Sequence, residues 1–333
     1  MGAKPNRSIL KVLAAVVAAW LVADKVASVV APEPTVGHWR SHAGFESYRA
    51  AYDAAMATLP PPTRTHDIAT DHGTVRVYEW TATEGRESAP PVVFLPGIRS
   101  GVPMWAENLP HWIGTRTLYA MDAVGDSGMS TQSVPFTSFD DRTVWVEQAL
   151  AGLDITRAHL VGHSFGGATA AAHALTYPGR VASLTLLEPV VVLSGLPVSM
   201  YLWSALLTLP VPQPWKDHAL AQIGGVSIEE VRERTPVSVM VDEGSRHYKA
   251  STLVPRTFTD AEWKSMAMPV RVDIAADKSL AGGHAAADRA RALGKSPVTV
   301  WPETTHSLPM QAAEQLGPDL LRYWTACDRR ARA

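Results

Sequence analysis

The sequence predicts an α/β fold with a mostly parallel central sheet, helices on both faces and a helical cap inserted between two strands. Short apolar runs alternate with longer segments of helical spacing, which is the pattern of a parallel sheet covered on both faces. A glycine-bracketed serine, Gly162-His163-Ser164-Phe165-Gly166, stands between a strand run and an apolar helix. The long stretch 190–263 breaks the alternation and is rich in Leu, Val, Pro and Trp. We expect it to form the cap.

Composition narrows the possible partners. The chain has 333 residues and a formal net charge of −2, from 30 Lys and Arg against 32 Asp and Glu. Near-neutral charge does not favour nucleic acid as a partner. The sequence contains no Cys-x-x-Cys and no His-Glu-x-x-His motif, so we expect no metal site and no cofactor. The single cysteine, Cys327, excludes an internal disulfide.

The N-terminal segment has the pattern of a targeting sequence. Three basic residues precede the uninterrupted apolar run Val12–Ala23. Basic residues before an apolar run of this length are typical of a secretory signal. An uncleaved anchor over residues 9–30 and an amphipathic surface helix are the alternatives. We predict that residues 1–31 form a signal peptide or N-terminal membrane anchor, and that the protein is exported.

The first half of the chain supplies the first elements. The segment His38–Leu59 has helical spacing in its apolar residues and ends at a run of three prolines. The turn Asp71-His72-Gly73 separates two segments with strand character. Buried strand runs and a one-sided apolar helix follow. The predicted elements after the first helix are strands Thr65–Ala69, Val75–Trp80, Pro91–Leu95 and Arg116–Met121, and helix Arg142–Leu153.

The second half continues the alternation on both sides of the cap. A strand leads into the glycine-bracketed serine, an apolar helix follows it, and one more strand precedes the cap. Two strands and two helices follow the cap. The predicted elements are strands Ala158–Val161, Ser183–Leu187, Val270–Ala275 and Val298–Trp301, and helices Ala168–Tyr177, Gly283–Leu293 and Met310–Trp324. The domain assignment is therefore a core of residues 38–189 and 264–326, with the cap over the carboxyl ends of the strands.

Ser164 is the candidate nucleophile. A strand–turn–helix with glycine on both sides of a serine is the setting of the G-x-S-x-G nucleophile elbow. The turn is too tight for side chains at Gly162 and Gly166. The serine is pushed out over the sheet at the N-terminus of a helix, where negative charge is favoured. We expect His163 beside it to pack against the elbow and shape it.

A serine nucleophile needs a base and an orienting acid, in the order Ser, Asp or Glu, His along this architecture. His306 lies in the loop after the last predicted strand, and imidazole can take and return a proton near neutral pH. Asp277, just past the end of strand Val270–Ala275, is the first candidate for the acid. Glu188 is the alternative, because it ends the neighbouring strand and could reach the same histidine.

The oxyanion formed during attack needs two backbone N–H donors. Phe165, directly after the nucleophile, is one candidate. Ile98, in the glycine turn after strand Pro91–Leu95, is the other. Asp122 follows the next strand at the same edge, and we expect it to accept backbone hydrogen bonds and fasten the loop that it begins.

These pieces together resemble the α/β-hydrolase superfamily, in its serine esterase and lipase-like branch with a helical cap. The resemblance covers residues 65–326, and the upstream segments Tyr48–Met56 and Gly73–Tyr78 are similar to actinobacterial α/β-fold hydrolases. It implies a cofactor-free acyl-enzyme mechanism. Its specific residues are Leu95-Pro96-Gly97, Asp122 with Gly125 and Ser127-Gly128, Gly162 to Gly166, Asp277, and Thr305-His306-Ser307.

The leading hypothesis is an exported serine hydrolase that cleaves carboxylic esters of small to medium apolar molecules. Carbon–carbon, lactone and thioester hydrolysis are alternatives on the same fold, and a non-catalytic ligand-binding protein is the alternative from another class. A serine at the elbow argues against relatives that use an aspartate there. The expected partner is a small apolar ester, with no nucleic acid and with membrane association through residues 9–30. No motif specifies an oligomeric state.

Overall fold

The central feature is a nine-stranded mixed sheet within the described part of the chain. The strand order is β11-β10-β8-β7-β4-β5-β3-β2, and β6 pairs with β3. Every pairing from β11 to β5 is parallel, whereas β3 is antiparallel to β5, β2 and β6. The predicted mostly parallel sheet is confirmed. Its strands are β2 Arg64–Thr70, β3 Gly73–Trp80, β4 Val92–Leu95, β5 Leu118–Met121, β6 Thr131–Gln132, β7 Ala158–His163, β8 Val181–Leu187, β10 Val270–Ala275 and β11 Val298–Trp301.

Helices cover both faces of the sheet. A separate two-stranded antiparallel ribbon pairs β1 His38–Trp39 with β9 Tyr248–Lys249. The helices are α1 His42–Met56, α2 Asp141–Gly152, α3 Ser164–Thr176, α4 Gln213–Gly224, α5 Ile228–Arg232, α6 Pro236–His247, α7 Asp260–Ser265, α8 Gly283–Ala292, α9 Leu308–Gln311 and α10 Ala313–Arg332.

The computed structural model describes residues 35–84, 89–196, 199–200, 202–203, 206, 209, 211–251 and 253–332. The predicted signal or anchor, residues 1–31, lies outside these residues. None of the helices in the described ranges is both long and apolar enough to cross a bilayer.

The core lies on both faces of the sheet because successive residues of a strand point to opposite faces. Strand β4 shows this directly. Val93 and Leu95 belong to the cluster that includes Trp145 and the alanines of α3. Val92 and Phe94 belong to the cluster on the other face, built on large aromatic rings such as Trp105, Trp112 and Trp324. The pattern explains why these strands read as continuous apolar runs rather than alternating ones.

The chain reverses its direction of growth across the sheet at β4. From β4 it adds β5 on one side, and then returns to place β7 on the other side. In open α/β sheets, ligands bind beyond the carboxyl ends of the strands at such a switch point. The β4 turn with Ile98 and the β7 elbow with Ser164 therefore meet at the position where a site is expected.

The segment between β8 and β10 departs most from the predicted elements. The sequence of this segment indicates two helical pieces, Met200–Leu209 and Ile228–Arg234. Helix α5 matches the second piece, and the first lies partly outside the described residues. Helices α4, α6 and α7 were not predicted. Helix α6 packs against α1, at the start of the described chain.

Candidate active site

The elbow has the strained geometry that a nucleophile turn requires. Ser164 has a φ of 53°, in the left-handed region that L residues rarely adopt. A Cβ at Gly162 would strike the backbone of Gly166, and one at Gly166 would strike the Leu95 carbonyl oxygen. Glycine is therefore required at both positions. Ser164 is the first residue of α3, so its side chain stands at a helix N-terminus.

His306 lies directly against the candidate nucleophile. Its Nε2 is 2.8 Å from Ser164 Oγ, although the two residues are far apart in the chain. Its Nδ1 is 3.1 Å from Glu188 Oε2. A carboxylate only accepts hydrogen bonds, so Nδ1 carries the proton and Nε2 is left as the acceptor for the serine hydroxyl. This is the tautomer a general base needs.

Glu188 is the carboxylate that lies against His306. It is fully buried and its φ is 48°. The Ala275 N–H and the Ser279 hydroxyl each donate to Oε1 at 2.7 Å, and the Leu280 N–H donates to Oε2 at 3.0 Å. These donors hold the carboxylate in a fixed orientation. The carboxylate that faces His306 therefore comes from the end of β8.

Asp277, the first choice from the sequence, does not contact the histidine. Its side chain is exposed, and its backbone N–H donates to the Thr304 carbonyl oxygen at 3.0 Å. The placement of Asp277 against His306 was wrong, and Glu188, the alternative, lies there instead. The physical reason is that the loop after β10 wraps its own backbone donors around the Glu188 carboxylate. That wrapping directs the Asp277 side chain outward.

Asp273, four residues before Asp277 and within β10, is held in a different interaction. Arg271 donates to both of its carboxylate oxygens at 2.7 and 2.8 Å, and Trp301 Nε1 donates to Oδ1 at 2.8 Å. The pair ties β10 to β11 and does not face His306. Its role is structural.

His163 contacts His306 and holds the loop that carries it. Its Nε2–H donates to the His306 carbonyl oxygen at 2.9 Å, and the two rings lie 4.9 Å apart. A Cβ at Gly97 would lie 2.8 Å from His163 Nδ1, so the ring is also enclosed by the β4 turn. The sequence indicated only a packing role. The structure adds a hydrogen bond that fixes the loop carrying His306.

Burial of His163 makes stability depend on pH. Burial lowers its pKa from 6.5 to about 3, so the folded protein keeps the ring neutral while the unfolded chain takes up a proton below pH 6.5. The unfolded state then binds more protons, and stability must fall as pH falls from about 6.5 towards 3. Burial also lowers the pKa of His159 and His173, which acts in the same direction.

We therefore expect His163 to reduce the free energy of unfolding by about 1.4 kcal/mol for each pH unit below 6.5. Urea unfolding of wild type and His163→Gln, measured at pH 7, 6 and 5, isolates this contribution as a difference in slope. The variant should be less stable at pH 7 and should lose stability less steeply below pH 6. Equal slopes would contradict the assignment.

The turn after β4 closes against the nucleophile. A Cβ at Gly97 would lie 3.3 Å from Ser164 Cβ, so the turn has no room for a side chain there. No hydrogen bond to a described residue engages the backbone N–H of Ile98. The N–H of Phe165 lies in the first turn of α3, where helical N–H groups have no partner within the helix. Both predicted oxyanion donors therefore remain available beside Ser164.

Asp122 fastens the neighbouring loop, as predicted. It is fully buried, and it accepts from the Val102 N–H, the Met129 N–H and the Tyr52 hydroxyl, each at 2.8 Å. These bonds join the loop after β5 to the segment after β4 and to α1. Burial raises the pKa of Asp122, and the three donors oppose that rise.

An apolar cluster borders the site on the side of the segment between β8 and β10. Its members include Val190 and Phe165, which flank the nucleophile: the Val190 N–H donates to the Ser164 carbonyl oxygen at 3.3 Å. Ser164 and His306 are only 5% and 9% exposed. The cluster consists of Val190, Val191, Met200 and Leu280, with Phe165, Leu196, Trp203 and Ile223 packed against it.

The end of α4 touches the loop that carries His306. Ser307 donates to the Gly224 carbonyl oxygen at 3.3 Å. Gly225 has a φ of 70°, and a Cβ there would lie 2.6 Å from Thr305 Cβ. The contact is too close for any other residue at Gly225. The segment after β8 therefore meets the site at two points, the apolar cluster and this glycine turn.

A second serine, histidine and aspartate come together at the opposite end of the sheet. Ser183 Oγ lies 2.7 Å from His159 Nδ1, and His159 Nε2 lies 3.0 Å from Asp328 Oδ1. Asp328 also pairs with Arg116 at 3.1 Å. Ser183 is fully buried, so no substrate reaches it. This set anchors α10 to the sheet. Within the described ranges, no group of three or more His, Cys, Asp or Glu is arranged to hold a metal ion.

Comparison with known proteins agrees with the geometry. Residues 90–206 match the family model described as alpha/beta hydrolase fold. The uncharacterized carboxylesterase nap of Bacillus subtilis (strain 168) is 24% identical over 84% of this chain and 92% of its own length. Carboxylesterase YbfK of the same organism is 24% identical over 75% of this chain and 83% of its own length.

A solved structure shares the whole architecture. The crystal structure of naproxen esterase from Bacillus subtilis superposes with a TM-score of 0.77 at 21% identity, and covers 86% of this chain and 99% of that one. The family match includes the β4 turn and the elbow. The chain has the α/β-hydrolase fold.

Proposed function

We propose that the protein is a serine hydrolase that cleaves carboxylic esters of small to medium apolar molecules. The observation that carries the proposal is the continuous hydrogen-bonded chain from Ser164 Oγ through the His306 imidazole to the buried Glu188 carboxylate. A hydroxyl next to a bare imidazole nitrogen is an activated nucleophile. Similarity to two carboxylesterases over most of the chain supports ester bonds as the target.

Acylation begins when Ser164 Oγ attacks the ester carbonyl carbon and its proton passes to His306 Nε2. The resulting imidazolium is stabilised by Glu188 through Nδ1, as in other serine triads. The electron pair of the carbonyl moves to oxygen, and the N–H groups of Phe165 and Ile98 hold this oxyanion. The intermediate collapses, the ester C–O bond breaks, and the leaving alcohol takes the proton from His306.

Deacylation repeats the sequence with water. His306 Nε2 removes a proton from a water molecule, and the hydroxide adds to the acyl carbon. Collapse of the second intermediate breaks the bond to Ser164 Oγ, which recovers its proton from His306. The acid product is released, and no metal or redox group takes part in any step.

The substrate class follows from the walls of the site. The apolar cluster around Val190, Val191 and Leu280 lies beside the nucleophile, and a packed apolar wall favours an apolar group on the substrate. The low exposure of Ser164 and His306 favours substrates small enough to be enclosed. These two features support short and medium-length esters over long-chain lipids.

A series of p-nitrophenyl esters tests this function. We expect hydrolysis to peak at short or medium acyl chains and to fall for chains of about 12 carbons or more, because a small enclosed pocket excludes them. The Ser164→Ala variant provides the blank for each ester. A rate equal to that blank across the whole series would refute ester hydrolysis as the function. A peak at the longest chains would refute the substrate size.

A further inference from the structure

A buried arginine lies behind the candidate oxyanion donors. Arg142, on α2, is 1% exposed and forms no ion pair with a carboxylate in the described ranges. Its Nη2 donates to the Ser251 carbonyl oxygen at 3.3 Å, and its Nε meets no described partner. Burial lowers its pKa to about 10. Arginine is rarely buried without a paired acid, because the charge loses its hydration. A buried arginine with this loss of hydration and no ion pair suggests that its charge has a specific role.

The guanidinium lies between two aromatic rings, one of which belongs to the oxyanion site. Arg142 Cζ is 4.9 Å from the ring centre of Phe165 and 5.1 Å from that of Phe136. A cation over an aromatic face within this distance is attracted to the ring, more strongly when desolvated. Phe165 directly follows Ser164. Holding its ring fixes the first turn of α3, which carries the Phe165 N–H.

The other donor is fastened by an acid next to this arginine. Asp126, in the loop after β5, is 5% exposed. Its Oδ2 accepts from the Arg99 N–H at 2.7 Å, and its Oδ1 accepts from the Ser127 N–H at 2.8 Å. Arg99 follows Ile98 and has a φ of 61°. The Asp126 carboxylate therefore sets the conformation of the turn that presents the Ile98 N–H.

The contact of Arg142 with Phe165 and the bond of Asp126 to the Arg99 N–H lie beside each other. Ile98, Phe165, Asp126 and Arg142 all line the same small cavity of about 10 Å³. The opposite charges of Asp126 and Arg142 attract each other across this low-dielectric space. One residue of the pair holds the β4 turn, and the other holds the start of α3. Their mutual attraction therefore sets the separation of the two donors.

We propose that Arg142 and Asp126 are positioning residues of the oxyanion hole, which hold Phe165 and the Ile98 turn at the separation that the oxyanion requires. The inference rests on the proposed function. Neither side chain touches the substrate. Losing one oxyanion donor typically costs 10² to 10³ in kcat, and a displacement of about 1 Å can cost about 10². A positioning pair should therefore matter by roughly tenfold or more.

The test uses the full chain and three variants: Arg142→Met, which keeps length and loses charge, Arg142→Lys, which keeps charge, and Asp126→Asn, which keeps size. Arg116→Met is the matched control, since Arg116 is also buried but lies at the other end of the sheet beside Asp328. The readouts are kcat and KM for a short p-nitrophenyl ester, and Ki for a trifluoromethyl ketone, whose adduct with Ser164 carries an oxyanion.

We expect Arg142→Met and Asp126→Asn to lower kcat about tenfold or more, to raise Ki by a similar factor and to change KM by less than about threefold. Arg142→Lys should recover part of the loss in kcat, whereas Arg116→Met should lower stability and leave kcat and Ki unchanged. If Arg142→Met does not fold, kcat and Ki of Asp126→Asn test the positioning role.

Two results would overturn the inference. One is a folded Arg142→Met or Asp126→Asn variant with kcat and Ki within twofold of wild type. The other is an equal loss in Arg116→Met, which would show a general effect of burial. A wild type without ester hydrolysis would instead overturn the proposed function, and the positioning role with it. If only the positioning role is wrong, wild type still hydrolyses the ester faster than the Ser164→Ala blank.

Discussion

We expect Glu188→Gln to lower kcat for ester hydrolysis by about 10³ to 10⁴ and to leave the protein folded. The glutamine amide can present its N–H₂ group to His306 Nδ1, which then acts as the acceptor and leaves the proton on Nε2. That is the wrong tautomer for accepting the Ser164 proton, and the same change in a serine protease triad costs about 10⁴. The amide also carries no charge to stabilise the imidazolium. Steady-state kinetics with a short p-nitrophenyl ester measure the loss.

Asp277→Asn is the matched control for this prediction. The Asp277 side chain is exposed, and its recorded contact is through its backbone N–H to Thr304, which the substitution preserves. We expect kcat and KM to stay within about twofold of wild type, in line with the small effects of surface changes. If Asp277→Asn loses activity and Glu188→Gln keeps it, the acid is assigned to the wrong strand.

The folded state of Glu188→Gln needs its own check. Besides His306, four donors converge on the carboxylate, and the amide nitrogen of glutamine cannot accept from them. They are the Ala275, Leu280 and Ala281 N–H groups and the Ser279 hydroxyl. We expect a measurable loss of stability, because a charge-assisted bond contributes about 1.5 to 3 kcal/mol. Circular dichroism at the assay temperature separates this loss from the loss in kcat. Ser279→Ala removes one of these donors and should lower kcat far less.

The parts of the site that are local in sequence could be predicted from it. Gly162, Ser164 and Gly166 form a short pattern with a steric reason, since each glycine faces a backbone atom. The placement of His306 follows from the order of strands, because the loops after parallel strands open at one edge. The Asp122 carboxylate accepts backbone hydrogen bonds, as its place after a strand predicted.

The choice of acid could not be settled from local pattern. Both Glu188 and Asp277 follow strands whose carboxyl ends are neighbours in the sheet, and either could face His306 by position alone. What decides is the path of the loop after β10, whose N–H groups close around Glu188. That path depends on long-range packing, which a strand-and-helix pattern does not contain.

The role of Arg142 could not be predicted from the sequence either, because it also depends on long-range packing. In the sequence it is a charged residue near the start of an amphipathic helix, where charged side chains normally face solvent. The structure buries it because Phe136 and Phe165 supply two ring faces from other segments.

The second large effect is the loss of covalent reactivity in Ser164→Ala. A fluorophosphonate reacts with a serine only when a base removes the hydroxyl proton and the resulting phosphoryl oxygen is held by N–H donors. Wild type should therefore form one adduct, and Ser164→Ala should form none. Turnover of the variant should fall by about 10⁶, as for removal of the nucleophile in a serine protease. The variant should keep its fold, because alanine is no larger than serine and meets the same backbone strain at the φ of 53°.

Mass spectrometry of the fluorophosphonate-treated protein tests the central claim most directly, because it locates the bond that the Ser164, His306 and Glu188 side chains are arranged to make. We predict a single adduct, on the peptide that contains Ser164, and a much slower reaction in Glu188→Gln. Folded wild type that stays unmodified, or an adduct on another residue with Ser164 unchanged, would contradict it.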